Sequence, residues 1–116
     1  MGEAGKVIVV SPSMSGSFSL PFLFAHPERF AGYVPVAPVG TGNFKEAEYN
    51  KLKVPTLIVY GDRDKGLGLE SLQNLKHIPG SEVLELKDAG HACYLDQPLP
   101  FHKSVHNFAD KVFAPQ

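Results

Sequence analysis

Apolar residues fall along this chain in short blocks separated by polar, glycine- or proline-containing stretches. The first block, Lys6-Val7-Ile8-Val9-Val10, runs β-branched residues together without polar alternation, the pattern of a strand buried on both faces of a parallel sheet. Ser17 to Phe24 is apolar enough for a helix, with Pro21 restricting it to a first-turn position or kinking it. Tyr33 to Ala37 reads as a second strand, weakened by Pro35, because proline has no N–H for a central strand to donate. Lys45 to Leu52 has helical composition and stops before Val54-Pro55. Thr56 to Tyr60 is the clearest strand and is broken by Gly61. The spacing of Leu69, Leu72 and Leu75 predicts a short helix to His77, ended by Pro79-Gly80. Glu82 to Leu86 alternates, as a strand more exposed on one face does. Phe101 to Phe113 predicts an amphipathic helix with Phe101, Val105, Phe108, Ala109 and Val112 on or near one face.

Four strands alternating with three or four helices predict a single α/β domain with a mostly parallel sheet. Right-handed crossovers then set the strand C-termini along one edge, where open α/β sheets build their sites. The 116 residues, 43% apolar and 20% charged, suit one small globular domain with a modest core. With Lys+Arg 11 against Asp+Glu 12, no field attracts nucleic acid, so no direct nucleic-acid partner is expected. No apolar run approaches the roughly 20 residues that span a bilayer, so no membrane partner is expected either. The single Cys93 excludes an intrachain disulfide and the polar MGEAGK start is not a signal peptide, which predicts a cytoplasmic or nuclear location. Lys6 stands where a myristoylation motif wants Ser or Thr.

Three of the loops after strands carry chemistry, in the order Ser, Asp, His. In Ser11-Pro12-Ser13-Met14-Ser15-Gly16 only Ser13 has small residues two positions away on both sides, the spacing a strained nucleophile turn needs. A Ser-rich turn whose serine merely caps the next helix reads equally well from spacing alone. In Gly61-Asp62-Arg63-Asp64 either aspartate could orient a histidine, and Asp62, nearer the strand end, could instead brace the turn. In Asp88-Ala89-Gly90-His91-Ala92-Cys93-Tyr94 a glycine beside His91 permits a tight turn toward the serine. Cys93, among small apolar neighbours, reads as pocket lining or core. His102 and His106, four apart on the last helix, suggest zinc, but no third ligand has a recognisable spacing and no metal is expected.

The phrases I-V-V-S-P-S-M-S-G-S-F-S-L-P-F, G-Y-V-P-V-A-P-V, P-T-L-I-V-Y-G-D-R-D and A-G-H-A-C-Y-L-D resemble the alpha/beta-hydrolase domain-containing 14 family, from Lys6 to about Phe113. The resemblance implies the C-terminal half of an α/β-hydrolase fold, lacking the N-terminal strands and helices, with residues 1–116 as one partial domain. It implies Ser13 as nucleophile, His91 as base and, between the two aspartates, Asp64 as the acid of the triad. The Met14 N–H would then donate to the oxyanion, and the apolar candidates around the acyl chain, chosen by proximity in sequence to the three loops, are Met14, Phe18 and Tyr94. The implied activity is serine hydrolysis or acyl transfer on small acyl esters or acetyl groups. No tightly bound cofactor is implied, with coenzyme A as an acyl acceptor. The alternative reading is a non-catalytic, hydrolase-derived binding module for a transcription or acetyltransferase partner, and a protein supplying the missing half is a further expected partner. The second oxyanion donor of such folds comes from a loop before the nucleophile strand. Only about six residues precede that strand here, so the isolated chain is expected to turn over esters poorly and to associate through an exposed strand edge.

Overall fold

A computed structural model of the chain describes residues 5–114. The Met-Gly start weighed for a leader or lipid anchor lies outside the described residues. Four strands, β1 (Val7–Pro12), β2 (Phe30–Val36), β3 (Leu57–Gly61) and β4 (Glu82–Leu86), pair in sequence order, and every pairing is parallel. The helices are α1 (Gly16–Ala25), α2 (Glu46–Asn50), α3 (Leu67–Leu75), α4 (Cys93–Asp96) and α5 (Pro98–Phe113). The predicted alternation of strands and helices is present, and α4 forms in the stretch after β4 that the sequence predicts as loop.

Strand periodicity divides the core into two layers, one on each face of the sheet. Tyr33 and Ile58 point to one face, where Leu20 and Leu23 of α1, Tyr49 of α2 and Leu75 of α3 cover them. Val34, Val36, Leu57 and Val59 point to the other, against Cys93 of α4 and Phe101 and Phe108 of α5. A strand buried on both faces has no polar side to alternate, which is why β2 and β3 read as unbroken apolar runs.

Two prolines depart from expectation. Pro35 lies in β2, an interior strand. Alternate N–H groups of β2 face β3: Tyr33 donates to the Pro55 carbonyl at 2.9 Å and Ala37 to the Val59 carbonyl at 3.0 Å. The rung between them falls on Pro35, which has no N–H. The ladder is accordingly reduced there to the pairs Tyr33–Thr56 and Val36–Val59. Pro21 sits beyond the first turn of α1 rather than in it. The carbonyl it leaves without a helical partner belongs to the exposed Ser17, where water can satisfy it. At its outer edge β1 pairs with no other strand among the described residues. Val7 and Val10 are exposed along it, together with Phe18 and Phe22 of α1.

Candidate active site

β1 runs on past Val10 through Ser11 and Pro12, and a 3-10 turn over Ser13–Ser15 leads straight into α1. A chain that passes from strand to helix without a loop must turn at one residue, and that residue is Ser13, at φ 47°. The left-handed region costs an L residue about 1–2 kcal/mol, so the surroundings must hold it there. The Val39 N–H donates to the Ser13 carbonyl at 3.0 Å from the loop after β2. Gly16 makes that approach feasible, since a Cβ on it would lie 2.5 Å from the Val39 carbonyl oxygen.

Asp64 follows β3 and is buried, its N–H bonded to the Gly61 carbonyl at 3.0 Å. His91 follows β4. Its Nδ1 lies 2.8 Å from Asp64 Oδ2 and its Nε2 lies 2.8 Å from Ser13 Oγ. A carboxylate can only accept, so Nδ1 carries the proton, Nε2 is the acceptor and Ser13 donates to it. The relay thus runs from a carboxylate 8% exposed, through an imidazole 44% exposed, to a hydroxyl open to solvent. Burial of Asp64 removes competing water from one end while the other stays open to a substrate.

The two aspartates of the β3 loop have different work. Asp62 Oδ1 accepts the Ala89 N–H at 3.1 Å and so braces the loop that carries His91. The Ala89 and Asp88 N–H groups hold its carboxyl below the ordinary value of 3.8. Gly61 permits the close approach of the two loops: a Cβ there would lie 2.3 Å from the Gly90 carbonyl oxygen and 2.4 Å from that of Ala89. Gly68, in the first turn of α3, similarly leaves room for the Asp64 carboxyl, whose Oδ2 would be 2.9 Å from an added Cβ. Asp96 of α4 accepts the Gly90 N–H at 2.8 Å. Sequence spacing had no signal for Gly68 or Asp96, because their roles depend on where separate loops meet.

The remaining candidates fall as follows. Met14 and Phe18 project into solvent, 70% and 81% exposed. Tyr94 is half-buried, its ring 6.0 Å from that of Phe101 on the α5 side of the core. Cys93 is fully buried in that layer, and burial raises its thiol to about 11, so at neutral pH it is a protonated core residue. His106 faces Asp110 at 3.4 Å and the His102 ring packs edge-on to Phe101. Among the described residues no group of three or more side chains suited to a metal comes together, and no helix is long and apolar enough to cross a membrane.

A Ser–His–Asp relay hung on three loops at one end of a parallel sheet is the arrangement of the α/β-hydrolase fold class. A CIB-like hydrolase from Thermoplasma acidophilum has the same fold, with a TM-score of 0.83 over 95% of this chain and 53% of that one, at 22% identity. Within that class the chain belongs to the family of ABHD14A and ABHD14B, to which close homology joins it along nearly its whole length. It is 47% identical to ABHD14A of Mus musculus over 108 residues, 93% of this chain and 44% of that protein. It is 46% identical over 110 residues to a protein of Rattus norvegicus named "Putative protein-lysine deacylase ABHD14B", 95% of this chain and 52% of that one. The chain therefore spans about half the length of the curated relatives it matches. No protein-family model matches it.

Proposed function

We propose that this chain carries the nucleophile-activating machinery of an acyl-transferring serine hydrolase acting on small acyl esters or acetylated amines. The observation that supports it is the Ser13–His91–Asp64 relay, at 2.8 Å for each of its two links. Ser13 Oγ attacks the acyl carbonyl as its proton passes to His91 Nε2, and the imidazolium formed is held by Asp64. The Met14 N–H donates to the tetrahedral oxyanion. His91 then returns the proton to the leaving alcohol or amine, leaving an acyl-serine. Water, or a thiol such as that of coenzyme A, gives its proton to His91 as it attacks the ester, and Ser13 recovers its proton on release. Phe18 and Met14, apolar and exposed beside the turn, suit a short acyl chain. The lysine-deacylase name of the rat relative supports an acetylated amine among the substrates. A fluorophosphonate probe tests the reading. Labelling is expected in the wild type and lost in Ser13→Ala and His91→Ala, and a label retained by Ser13→Ala overturns it.

The exposed Val7, Val10, Phe18 and Phe22 favour a second element of the reading: a protein partner, or another copy of this chain, seated on the β1 edge. A partner supplying the rest of the fold fits this edge better than a transcription or acetyltransferase partner, for which only the family resemblance speaks. A cytoplasmic or nuclear location belongs to the same reading, supported by the single cysteine and testable by imaging a tagged chain.

A further inference from the structure

The serines on either side of Ser13 join a chain of hydroxyls that leads away from the site into the core. Ser15 Oγ donates to the Pro12 carbonyl at 2.7 Å. A hydroxyl has one proton, so in its 2.9 Å contact with Ser11 Oγ, Ser15 accepts and Ser11 donates. Ser11 in turn accepts from Ser19 at 2.6 Å, and Ser19 accepts from the Tyr33 phenol at 2.8 Å. One fixed end, the carbonyl of Pro12, determines the position of every proton in the chain. Burial raises Tyr33 to about 12, so the phenol keeps the proton it donates. Ser11 and Tyr33 are 1% and 0% exposed, so the inner links through Ser19 are shielded from water, while Ser15 at the outer end is half-buried.

We propose that the Tyr33–Ser19–Ser11–Ser15 chain is a positioning device for the nucleophile, clamping the Pro12–Ser13 peptide and thereby holding Ser13 at positive φ. The orientation of that peptide plane sets Ser13 φ, and its oxygen is the acceptor at the end of the chain. The peptide on the other side of Ser13 is held through its own oxygen by the Val39 N–H. With both planes fixed, the dihedral that aims Oγ at His91 is over-determined, as a strained residue at a functional site must be. Aligned hydroxyls polarise one another, so the last bond is stronger than an isolated one. Small residues at these positions are usually required for space; here their hydroxyls also carry the clamp. Tyr33, Ser19, Ser11 and Ser15 are positioning residues, and the inference rests on Ser13 as the nucleophile.

The test compares Tyr33→Phe with Tyr49→Phe. Tyr49 is an equally buried phenol of the same core layer that donates to the Thr41 carbonyl at 2.7 Å, outside the chain of hydroxyls. Two readouts are taken: the inactivation rate constant and binding constant for a fluorophosphonate, and amide exchange at residues 13–16. Tyr33→Phe should slow inactivation roughly 10-fold at unchanged binding constant and speed exchange at these amides by a similar factor. Tyr49→Phe should do neither, although it lowers Tm comparably. Should Tyr33→Phe fail to fold, Ser15→Ala reads the same link at a half-buried site, and Ser15→Thr, which restores the hydroxyl, should recover the rate. Rates and exchange within twofold of wild type in both Tyr33→Phe and Ser15→Ala overturn the clamp, as does an equal effect of Tyr49→Phe. A wild type that does not react at Ser13 sinks the nucleophile reading instead, and amide exchange then decides the clamp by itself.

Discussion

A methyl group at Gly61 should disable the relay without touching any of its three members. In Gly61→Ala the added Cβ would stand 2.3 Å from the Gly90 oxygen and 2.4 Å from the Ala89 oxygen, both backbone atoms that no rotamer change can move. Restoring ordinary contact requires the two loops to part by about 1 Å, a misplacement that costs on the order of 100-fold in rate. The loop after β4 cannot retreat freely. The Arg63 N–H holds the Ala89 oxygen at 2.8 Å, and Asp62 holds the Ala89 N–H at 3.1 Å. His91 is one residue beyond Gly90, so the displacement falls on the 2.8 Å contacts to Ser13 and Asp64. Overpacking of this kind also costs about 1–3 kcal/mol of stability. Fluorophosphonate labelling of Ser13 provides the assay, with circular dichroism to verify folding and Gly42→Ala as control, since nothing lies closer than 4.0 Å to a Cβ there. The expectation is a roughly 100-fold slower reaction in a folded Gly61→Ala and no change in Gly42→Ala. A folded Gly61→Ala that labels within threefold of wild type would refute the idea that loop contact at Gly61 sets the position of His91.

Other perturbations address the remaining supports. Asp62 ionises more readily in the fold than at its ordinary value of 3.8, so its contribution to stability is full above that pH and is lost as pH falls below it. Asp62→Asn should therefore flatten the acid limb of a Tm-versus-pH curve, and parallel limbs in the two proteins would contradict the brace. Gly68→Ala sets a methyl 2.8 Å from Asp64 Cγ and should cut turnover roughly 10- to 100-fold through kcat while leaving KM nearly unchanged. A rise confined to KM would speak against it. Val10→Lys together with Phe22→Glu should abolish concentration-dependent association in sedimentation if the β1 edge is the associating surface.

The sheet and the order of its loops could be read from the chain because parallel strands buried on both faces are written as apolar runs, as in Leu57–Tyr60; the β-branched run Val7–Val10 predicts the same burial, but β1 is the edge strand and Val7 and Val10 are exposed. Ser13 was legible for a local reason: the small residues a sharp strand-to-helix turn requires lie within two positions of it. The choice between Asp62 and Asp64 was not legible from the residues themselves. Both sit in one turn, and what separates them is that one meets a backbone N–H at Ala89 and the other an imidazole nitrogen. Only the family phrase distinguished them beforehand. The hydroxyl chain was invisible for a different reason. Tyr33 reaches Ser19 because β2 lies beside β1 and α1 packs across both, a relation that strand pairing creates and no spacing encodes. Pro35 misled for the same reason, since whether a missing N–H matters depends on which neighbour it would have faced.

Nucleophile activation and oxyanion stabilisation are housed separately in this architecture. Activation needs the C-terminal ends of β1, β3 and β4, and four parallel strands suffice to bring Ser13, Asp64 and His91 within hydrogen-bond distance. Stabilisation needs two converging N–H groups, of which the Met14 N–H, one residue after Ser13, can be one; in folds of this class the other comes from a loop after an earlier strand. Loss of one of two such donors leaves a tetrahedral intermediate about 3–4 kcal/mol higher. The strand that ends at Ser13 is also the strand whose outer edge is unpaired and whose neighbours Val10, Phe18 and Phe22 are exposed. A polypeptide that added a parallel strand to β1 would bring the C-terminal end of that strand alongside the Ser13 turn, where the second donor is needed.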